Sequence, residues 1–180
     1  MTALAANGRG LMEFRVAVFL AAILLQIGQV AAAPKTIIFP FDLIDNSQPP
    51  GELPVVNADE TQRLKLVRDE LGKLIGESGK FDVVDSSAIA ADIENAQPIY
   101  TCNGCEDDLA KKAGADLAIV GTVQKVSAMI LTVNVYVRDV VNGRVTQALS
   151  TGILGNTDEL WLRGIRSLVK NQLLTEGAPQ

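Results

Sequence analysis

The sequence contains no histidine, and this absence excludes several classes of enzyme. Ser-His-Asp and Cys-His catalytic pairs, histidine-ligated zinc or haem iron, and an imidazole general base all need a residue that the 180-residue chain lacks. An excess of positive charge is also missing, because 16 Lys and Arg stand against 21 Asp and Glu, for a formal net charge of -5. Nucleic acid and anionic lipid surfaces are bound through clustered cations. We therefore expect no enzymatic activity, no cofactor, no metal site and no nucleic-acid binding.

Residues 1–32 are predicted to form an export signal. The apolar run VAVFLAAILLQI at residues 16–27 follows Arg9 and Arg15 and precedes small residues, which is the layout of a secretory signal peptide. The run is shorter than the roughly 20 apolar residues that span a bilayer. Cleavage before Ala33 is predicted to leave residues 33–180 as a single secreted domain, soluble in a bacterial periplasm, that meets the membrane only through its signal. Met12 is an alternative start.

The first half of the predicted domain alternates short strands with helices. Residues 36–41 are rich in β-branched and aromatic side chains and predict a strand, whereas residues 42–54, with prolines at 49, 50 and 54, predict a loop. Asn57 and Glu60 have the spacing of a capping box, and apolar residues then recur at helical spacing until Gly79. A strand at 81–85, a helix at 86–96 and a helix at 106–113 complete this half.

The second half predicts a β-meander and a closing helix. Strands are expected at 116–126 and 130–140, and in the second of these the apolar residues alternate with polar ones. Asn142-Gly143 predicts a type I′ turn into a third strand at 145–153. Asn156 and Glu159 repeat the capping-box spacing ahead of a helix that buries Trp161. The expected fold is α+β: a mixed sheet with a C-terminal antiparallel β-meander and helices packed against it.

Cys102 and Cys105 form a CxxC pair ahead of a predicted helix and are the chain's only two cysteines. They are open to interpretation as a structural disulfide, a redox dithiol or two metal ligands. Glu106, Asp107 and Asp108 follow directly and disfavour a reactive thiolate, and a chain without histidine or a third cysteine offers a poor zinc site. We favour the structural disulfide, with thiol-disulfide exchange as the alternative function.

Two groups of residues are candidates for docking a partner. Tyr136 and Arg138 are predicted to face outward from a strand, where an exposed sheet surface offers a binding face. Arg163 and Arg166 lie on one face of the last helix with Lys170. A solvated helix face is the ordinary explanation of this second group.

Several strings resemble a domain-of-unknown-function family of predicted secreted bacterial proteins, chiefly CNGCE at 102–106 and GNTDE-x-WLRG at 155–164, with PIY, VQKVS and RDV at 98–100, 123–127 and 138–140. FPF at 39–41, FDVV at 81–84, GAD at 114–116 and Gly121 are more distantly similar to periplasmic domains of the curli-secretion and TolB amino-terminal type. This resemblance implies a mixed sandwich with protein-binding surfaces. No cysteine stands at the predicted cleavage site for lipid attachment, unlike in curli-type lipoproteins. We expect a noncatalytic periplasmic accessory or assembly protein that binds another envelope or secreted protein.

Overall fold

The computed structural model describes residues 32–47 and 57–175. The predicted export signal lies outside these ranges except for its last residue, so its boundary with the domain stays a prediction. The strands are β1 (Lys35–Ile38), β2 (Asp42–Asp45), β3 (Asp82–Val83), β4 (Leu117–Ser127), β5 (Ile130–Asp139) and β6 (Arg144–Leu154). The helices are α1 (Ala58–Glu77), α2 (Ala90–Ala96), α3 (Cys105–Lys112) and α4 (Asp158–Leu168), which continues as a π-helical turn over Val169–Leu173.

The strands form one mixed six-stranded sheet in the described part of the chain. Its order is β3-β1-β4-β5-β6, and β2 pairs with β4 alongside β1. β1 is parallel to β3 and β4, β2 is parallel to β4, and β4, β5 and β6 are antiparallel neighbours. The expected mixed sheet and C-terminal meander are therefore confirmed.

β2 corrects the predicted loop over residues 42–54. Pro40 has no N–H to give to a ladder, so the first strand ends after the N–H of Phe39 donates to the carbonyl of Ile119 at 3.0 Å. The chain then pairs with β4 again, with Asp42 opposite Thr122. Within residues 42–54 the prolines come only at residue 49 and beyond, so the prediction ended the β-structure too early.

One face of the sheet is covered by α1 and α4. The inward residues of β5 and the apolar stripes of both helices form one core, whose largest member, Trp161, is fully buried. The other members that carry this packing are Val67, Leu71, Ile75, Val133, Val135, Val137, Ile165 and Leu168. At Gly121 the ring of Phe41 lies so close to the backbone that an added Cβ would clash with it. The burial predicted for the closing helix is confirmed.

The opposite face is covered over only part of its width. α2, α3 and the turn at Ile99–Thr101 pack on β1 and the first half of β4, in a second core that includes Phe39, Ile93, Ile99, Leu109 and Val120. On this face the side chains of β5 are half-buried, and those of β6 at Ala148, Ser150 and Gly152 are exposed. The sheet is thus left open to solvent over β5 and β6 on this side.

The turn between β5 and β6 differs from the predicted type I′ turn. Asp139 pairs with Arg144, so residues 140–143 form the loop, and Gly143 has a φ of 62° while Asn142 has no positive φ. The Asp139 carboxylate accepts hydrogen bonds from the backbone N–H groups of Val141 at 2.9 Å and Asn142 at 3.0 Å. An aspartate-capped longer loop therefore replaces the two-residue turn, because the Asp139 side chain supplies the acceptor.

The two predicted helix caps have different outcomes. Asn57 caps α1 as predicted, since its Oδ1 accepts from the N–H of Glu60 at 2.8 Å. At α4 the cap is Thr157, so the assignment of Asn156 as the cap was wrong. Asn156 Oδ1 instead accepts from the indole Nε1–H of Trp161 at 2.9 Å. This bond satisfies the polar atom of a fully buried tryptophan, which competes successfully with capping.

Candidate functional site: the open sheet face beside the disulfide loop

The open face is the uncovered side of β4, β5 and β6, and its middle is a row of short polar side chains. Thr122 lies opposite Asn134, which in turn lies opposite Ser150. Asn134 Nδ2 donates to Thr122 Oγ1 at 3.3 Å, and Ser150 Oγ donates to Asn134 Oδ1 at 2.9 Å. These hydrogen bonds fix the side chains of the row, so this part of the face is pre-ordered.

A groove of about 310 Å³ lies at the edge of the open face, and we call it the tyrosine groove. Both tyrosines of the chain contribute to it: Tyr136 from β5 and Tyr100, which is 42% exposed, from the turn before the disulfide. Its other lining residues are Ile44, Ile99, Glu106, Val120, Thr122, Gln124, Asn134, Arg138 and Val145. The groove therefore combines two aromatic rings and an apolar wall with a polar floor, which suits recognition of a peptide or a similar amphipathic ligand.

One wall of the groove is held to the sheet through Asp42. Its carboxylate accepts a hydrogen bond from the backbone N–H of Tyr100 at 3.2 Å. Burial raises the pKa of Asp42, and hydrogen bonds from the backbone of Tyr100 and Ile99 partly oppose this increase. The Tyr100 segment is thus positioned by β2, an element that the sequence interpretation had assigned to a loop.

Cys102 and Cys105 are joined by a disulfide, with an Sγ–Sγ distance of 1.99 Å. The bond closes a loop at the start of α3, in which Asn103 and Gly104 have φ angles of 53° and 110°. Both cysteines are half-buried against the second core. With Glu106 they form the single group of three potential metal ligands in the described ranges, but sulfurs bonded to each other are not thiolate ligands.

Arg138 joins the disulfide loop to the β5–β6 hairpin. Its guanidinium makes two hydrogen bonds to Asp107, of 2.9 Å from Nε and 2.6 Å from Nη2, and its Nε lies 3.4 Å from Glu106 Oε1. Nη2 also donates to the carbonyl of Gly143 at 3.2 Å. The hydrogen bonds to Asp107 raise the pKa of Arg138. The residue predicted as a docking contact therefore also has a structural role at the end of the groove.

The four predicted docking residues fall on two opposite sides of the molecule. Tyr136 and Arg138 line the groove, whereas Arg163 and Arg166 lie on α4, which packs on the other face of the sheet. Arg166 Nε bonds to Glu70 Oε1 of α1 at 2.6 Å, and Arg163 pairs with Glu159 of its own helix at 2.9 Å. The structure does not bring the two pairs into one surface.

A buried ion cluster went unrecognised in the sequence. Lys125 Nζ, at the end of β4, lies 2.8 Å from Glu60 Oε1 and 3.1 Å from Asp45 Oδ2. The side chains of Glu60 and Asp45 are each 1% exposed and that of Lys125 is 14% exposed. The alternation in β4 could have predicted it. Lys125 continues the inward-facing series of Ile119 and Val123, and a lysine that faces inward needs a buried partner of opposite charge.

The fold and this face together define a mixed α+β domain with one helix-covered side and one side that is partly open. The chain belongs to the DUF3280 family, described as "Protein of unknown function (DUF2380)", whose model matches residues 34–173. This membership confirms the resemblance to a family without a known activity. A search of curated proteins finds no match to the chain.

Solved structures share the fold at low sequence identity. Lipoprotein GNA1162 from Neisseria meningitidis is 16% identical with a TM-score of 0.51, over 81% of this chain and 99% of that one. The LpoB C-terminal domain from Salmonella enterica is 15% identical with a TM-score of 0.49, over 75% and 93% of the two chains. TolB from Acinetobacter baumannii, 15% identical with a TM-score of 0.44, is matched over 79% of this chain and 28% of its own. The expected distant likeness to TolB is thus found, and the likeness to curli-secretion domains stays a prediction.

Across the described ranges, none of the helices combines the length and the apolar character that crossing a membrane requires.

Proposed function

We propose that the protein is a noncatalytic accessory protein of the bacterial cell envelope, whose tyrosine groove binds a segment of another envelope or secreted protein. The observation that carries the proposal is the half-covered sheet: its second face is packed over β1 and part of β4 but open over β5 and β6. Beside this opening, Tyr100 and Tyr136 line a groove whose polar groups are largely satisfied within the protein. Rigid aromatic side chains over a fixed polar floor favour binding rather than catalysis.

The charged groups at the groove support a noncatalytic role. Glu106 and Asp107 are engaged by Arg138, and Glu106 Oε2 also accepts from the N–H of Gly104 at 2.9 Å. A general acid or base needs a group that is free to exchange a proton with a bound substrate. Asp42 hydrogen-bonds backbone N–H groups and supports the wall. These carboxylates therefore act as positioning groups.

The periplasm is the proposed location, on two grounds. The first is the export signal predicted over residues 1–32. The second is the Cys102–Cys105 disulfide, because such bonds persist in oxidising compartments and are rare in the cytosol. The shared fold of a lipoprotein, GNA1162, is in keeping with an envelope setting.

Thiol-disulfide exchange through the same pair is the second hypothesis. The observation in its favour is that the disulfide closes a short loop at the N-terminus of a helix, where a thiolate gains from the helix dipole. Against it, Glu106 Oε2 lies 3.1 Å from Cys102 Sγ, and a carboxylate at that distance disfavours the thiolate form. A reduction potential above about -200 mV, in the range of protein disulfide isomerase and DsbA, would support exchange, and one below about -300 mV would rule it out.

Site-specific photocrosslinking in the producing cell tests the docking proposal. A photoreactive phenylalanine analogue replaces Tyr136, Tyr100 or, as the control, Lys73, which is exposed on α1 away from the groove. We expect discrete adducts of higher mass from positions 136 and 100 and none from position 73. Wild-type protein co-produced in the same cell should compete the adducts away, the Tyr136→Phe variant should compete equally, and Tyr136→Ser should compete weakly because it lacks the ring.

Two results would contradict the docking proposal. Adducts that form equally at Lys73 would mean that the groove has no special role. An absence of adducts at both tyrosines, with the protein folded and present at its normal level, would mean that no partner occupies the groove.

A further inference from the structure

β6 is the long unprotected edge of the sheet. It spans Arg144–Leu154 and, in the part of the chain that the structure describes, pairs with β5 alone. The opposite edge is β3, which is only two residues long. An edge strand presents unpaired N–H and C=O groups, which another strand can use for pairing.

Two hydrogen bonds identify the free backbone groups of this edge. The N–H of Gly155, just after β6, donates to the carbonyl of Met129 at 2.7 Å. Because backbone direction alternates along a strand, the odd-numbered residues of this part of β6 direct their N–H and C=O groups toward β5. The carbonyl of Ser150 accepts from the side-chain Nε2 of Gln172 at 3.1 Å, on the outer side. Alternation therefore directs the backbone N–H and C=O groups of Ala148, Ser150, Gly152 and Leu154 away from β5, toward the free edge of the sheet.

The outer edge of β6 has few of the devices that block strand pairing. No charged residue and no proline occurs from Gln147 to Leu154. The irregularity in pairing with β5 is confined to the beginning of the strand, near Val145. Gln172 covers one carbonyl, that of Ser150, and leaves the remaining outward groups uncovered by any described hydrogen bond. The edge is therefore long, regular and uncharged, which is the form that accepts another strand.

We propose that a second copy of this chain pairs with that edge, antiparallel, so that two copies form a homodimer with one continuous sheet. A two-fold axis brings the beginning of each β6 to the end of the other. Arg144, at the beginning, has no ion-pair partner within the described ranges. Asp158 and Glu159, which follow the end of the strand, pair within their own copy with Arg63 and Arg163. Each Arg144 thereby approaches the first turn of the partner copy's α4, where the Glu159 side chain is 79% exposed and its carboxylate can accept a second cation besides Arg163.

In this dimer the helix-covered faces of both copies lie on one side of the joined sheet and the open faces on the other. Residues directly opposite each other in an antiparallel pair point to the same side of the sheet. Ile153, buried under α4, stays on the helix-covered side in both copies, and the exposed Ser150 and Gly152 stay on the open side. The two open faces then join into one surface that carries two tyrosine grooves. The dimer itself does not depend on whether those grooves bind a partner.

The molar mass of the purified protein, measured by light scattering during gel filtration, tests this proposal. The expected mass is twice that of one chain. Gly152→Lys should halve it, because each copy would then carry on its pairing edge a lysine, the residue type that most often blocks strand pairing. An added Cβ at Gly152 has no heavy atom within 4 Å, so this change leaves the fold of the single chain intact. Val141→Lys, at an 81% exposed position in the β5–β6 loop, is the matched control and should stay dimeric.

Hydrogen exchange gives a second readout that separates dimerisation from folding. The amides of Ala148, Ser150 and Leu154 should exchange slowly in the wild-type protein and rapidly in Gly152→Lys. The amides of Leu149 and Thr151, which point toward β5, should stay protected in both. A wild-type protein that is monomeric at about 100 μM, or a Gly152→Lys protein that remains dimeric, would overturn the proposal. A monomer whose outward amides become protected only when an extended peptide is added would assign the edge to a different occupant.

Discussion

The buried ion cluster gives the sharpest test of how this fold is held together. Among the described residues, Lys125 is the single cation paired with the carboxylates of Glu60 and Asp45, at 2.8 and 3.1 Å. It connects the end of β4 to the first turn of α1 and the end of β2. Replacement of Lys125 by methionine keeps the length of the side chain and removes its charge. We expect this change to destabilise the protein strongly, because two buried carboxylates lose their partner.

The magnitude follows from the burial of the three groups. Breaking a buried ion pair by removal of one partner costs about 3–5 kcal/mol. The side chains of Glu60 and Asp45 are each 1% exposed, so water does not replace the lost ammonium. A domain of this size has a total stability of about 5–15 kcal/mol, and the variant should therefore unfold at a much lower urea concentration.

Urea unfolding followed by the fluorescence of Trp161 measures this effect. The chain has one tryptophan, and it is fully buried in the core, so its emission reports global unfolding. Lys73→Met is the matched control, because Lys73 is exposed on α1 and its loss should change stability by no more than about 0.5 kcal/mol. A loss below about 1 kcal/mol for Lys125→Met at pH 7 would refute the reasoning, since it lies outside the range for buried pairs.

The stability that the buried ion cluster contributes depends on pH, and the direction follows from the pKa shifts of Lys125 and Asp45. A hydrogen bond to Glu60 raises the pKa of Lys125, so the stability it contributes is present below the ordinary lysine pKa and is lost as pH rises through the raised value. Burial acts to raise the pKa of Asp45, but hydrogen bonds from Ser47 and Lys125 outweigh it and lower this pKa. That contribution is present above the ordinary aspartate pKa and is lost as pH falls through the lowered value. Lys125→Met should therefore lose less stability at about pH 4 than at pH 7, because the Asp45 carboxylate, without its cation, can take up a proton.

Three other changes test separate parts of the structure. Gly121→Ala should lower the free energy of unfolding by about 1–3 kcal/mol or more, and with it the urea midpoint, because its methyl group would overlap the ring of Phe41. The double variant Cys102→Ser, Cys105→Ser should still fold, with a loss of about 2 kcal/mol for so short a loop, measured by the same unfolding assay. Burial raises the pKa of Asp42, so the stability that its carboxyl contributes is present at acidic pH and is lost as pH rises through the raised value. Asp42→Asn should remove this component of the pH dependence, and an unchanged slope of stability against pH would contradict the assignment.

Much of the fold is predictable because local patterns and burial agree. Strict alternation in β5 predicts which side chains point inward, and the structure buries Leu131, Val133, Val135 and Val137 as expected. The closing helix buries Trp161 because its apolar residues recur at helical spacing. The cap of the closing helix was predicted wrongly because a side chain had a tertiary role: Asn156 bonds the indole of Trp161 in place of capping the helix.

The candidate site was less predictable, because its residues meet only through long-range pairing. The outward direction of Tyr136 follows from alternation, but nothing local indicates that Tyr100 lies across the same groove. The role of Arg138 depends on the carboxylates of α3, which the sequence interpretation read as unfavourable neighbours of the cysteines. β2 was missed because it is short and gains its stability from β4 rather than from its own sequence.

The disulfide and Arg138 both act on the wall of the tyrosine groove, and this shared position indicates what the bond stabilises. The disulfide closes a loop too short to contribute more than about 2 kcal/mol, which is modest against the stability of the whole domain. It lies directly before Glu106 and Asp107, the two carboxylates that bind Arg138, and directly after the segment that carries Tyr100. A bond at this point restricts the backbone on both sides of the groove wall. Its effect is therefore local: it holds the wall that carries Tyr100 beside the uncovered part of the sheet that carries Tyr136. The groove proposed to bind a partner is then formed before binding.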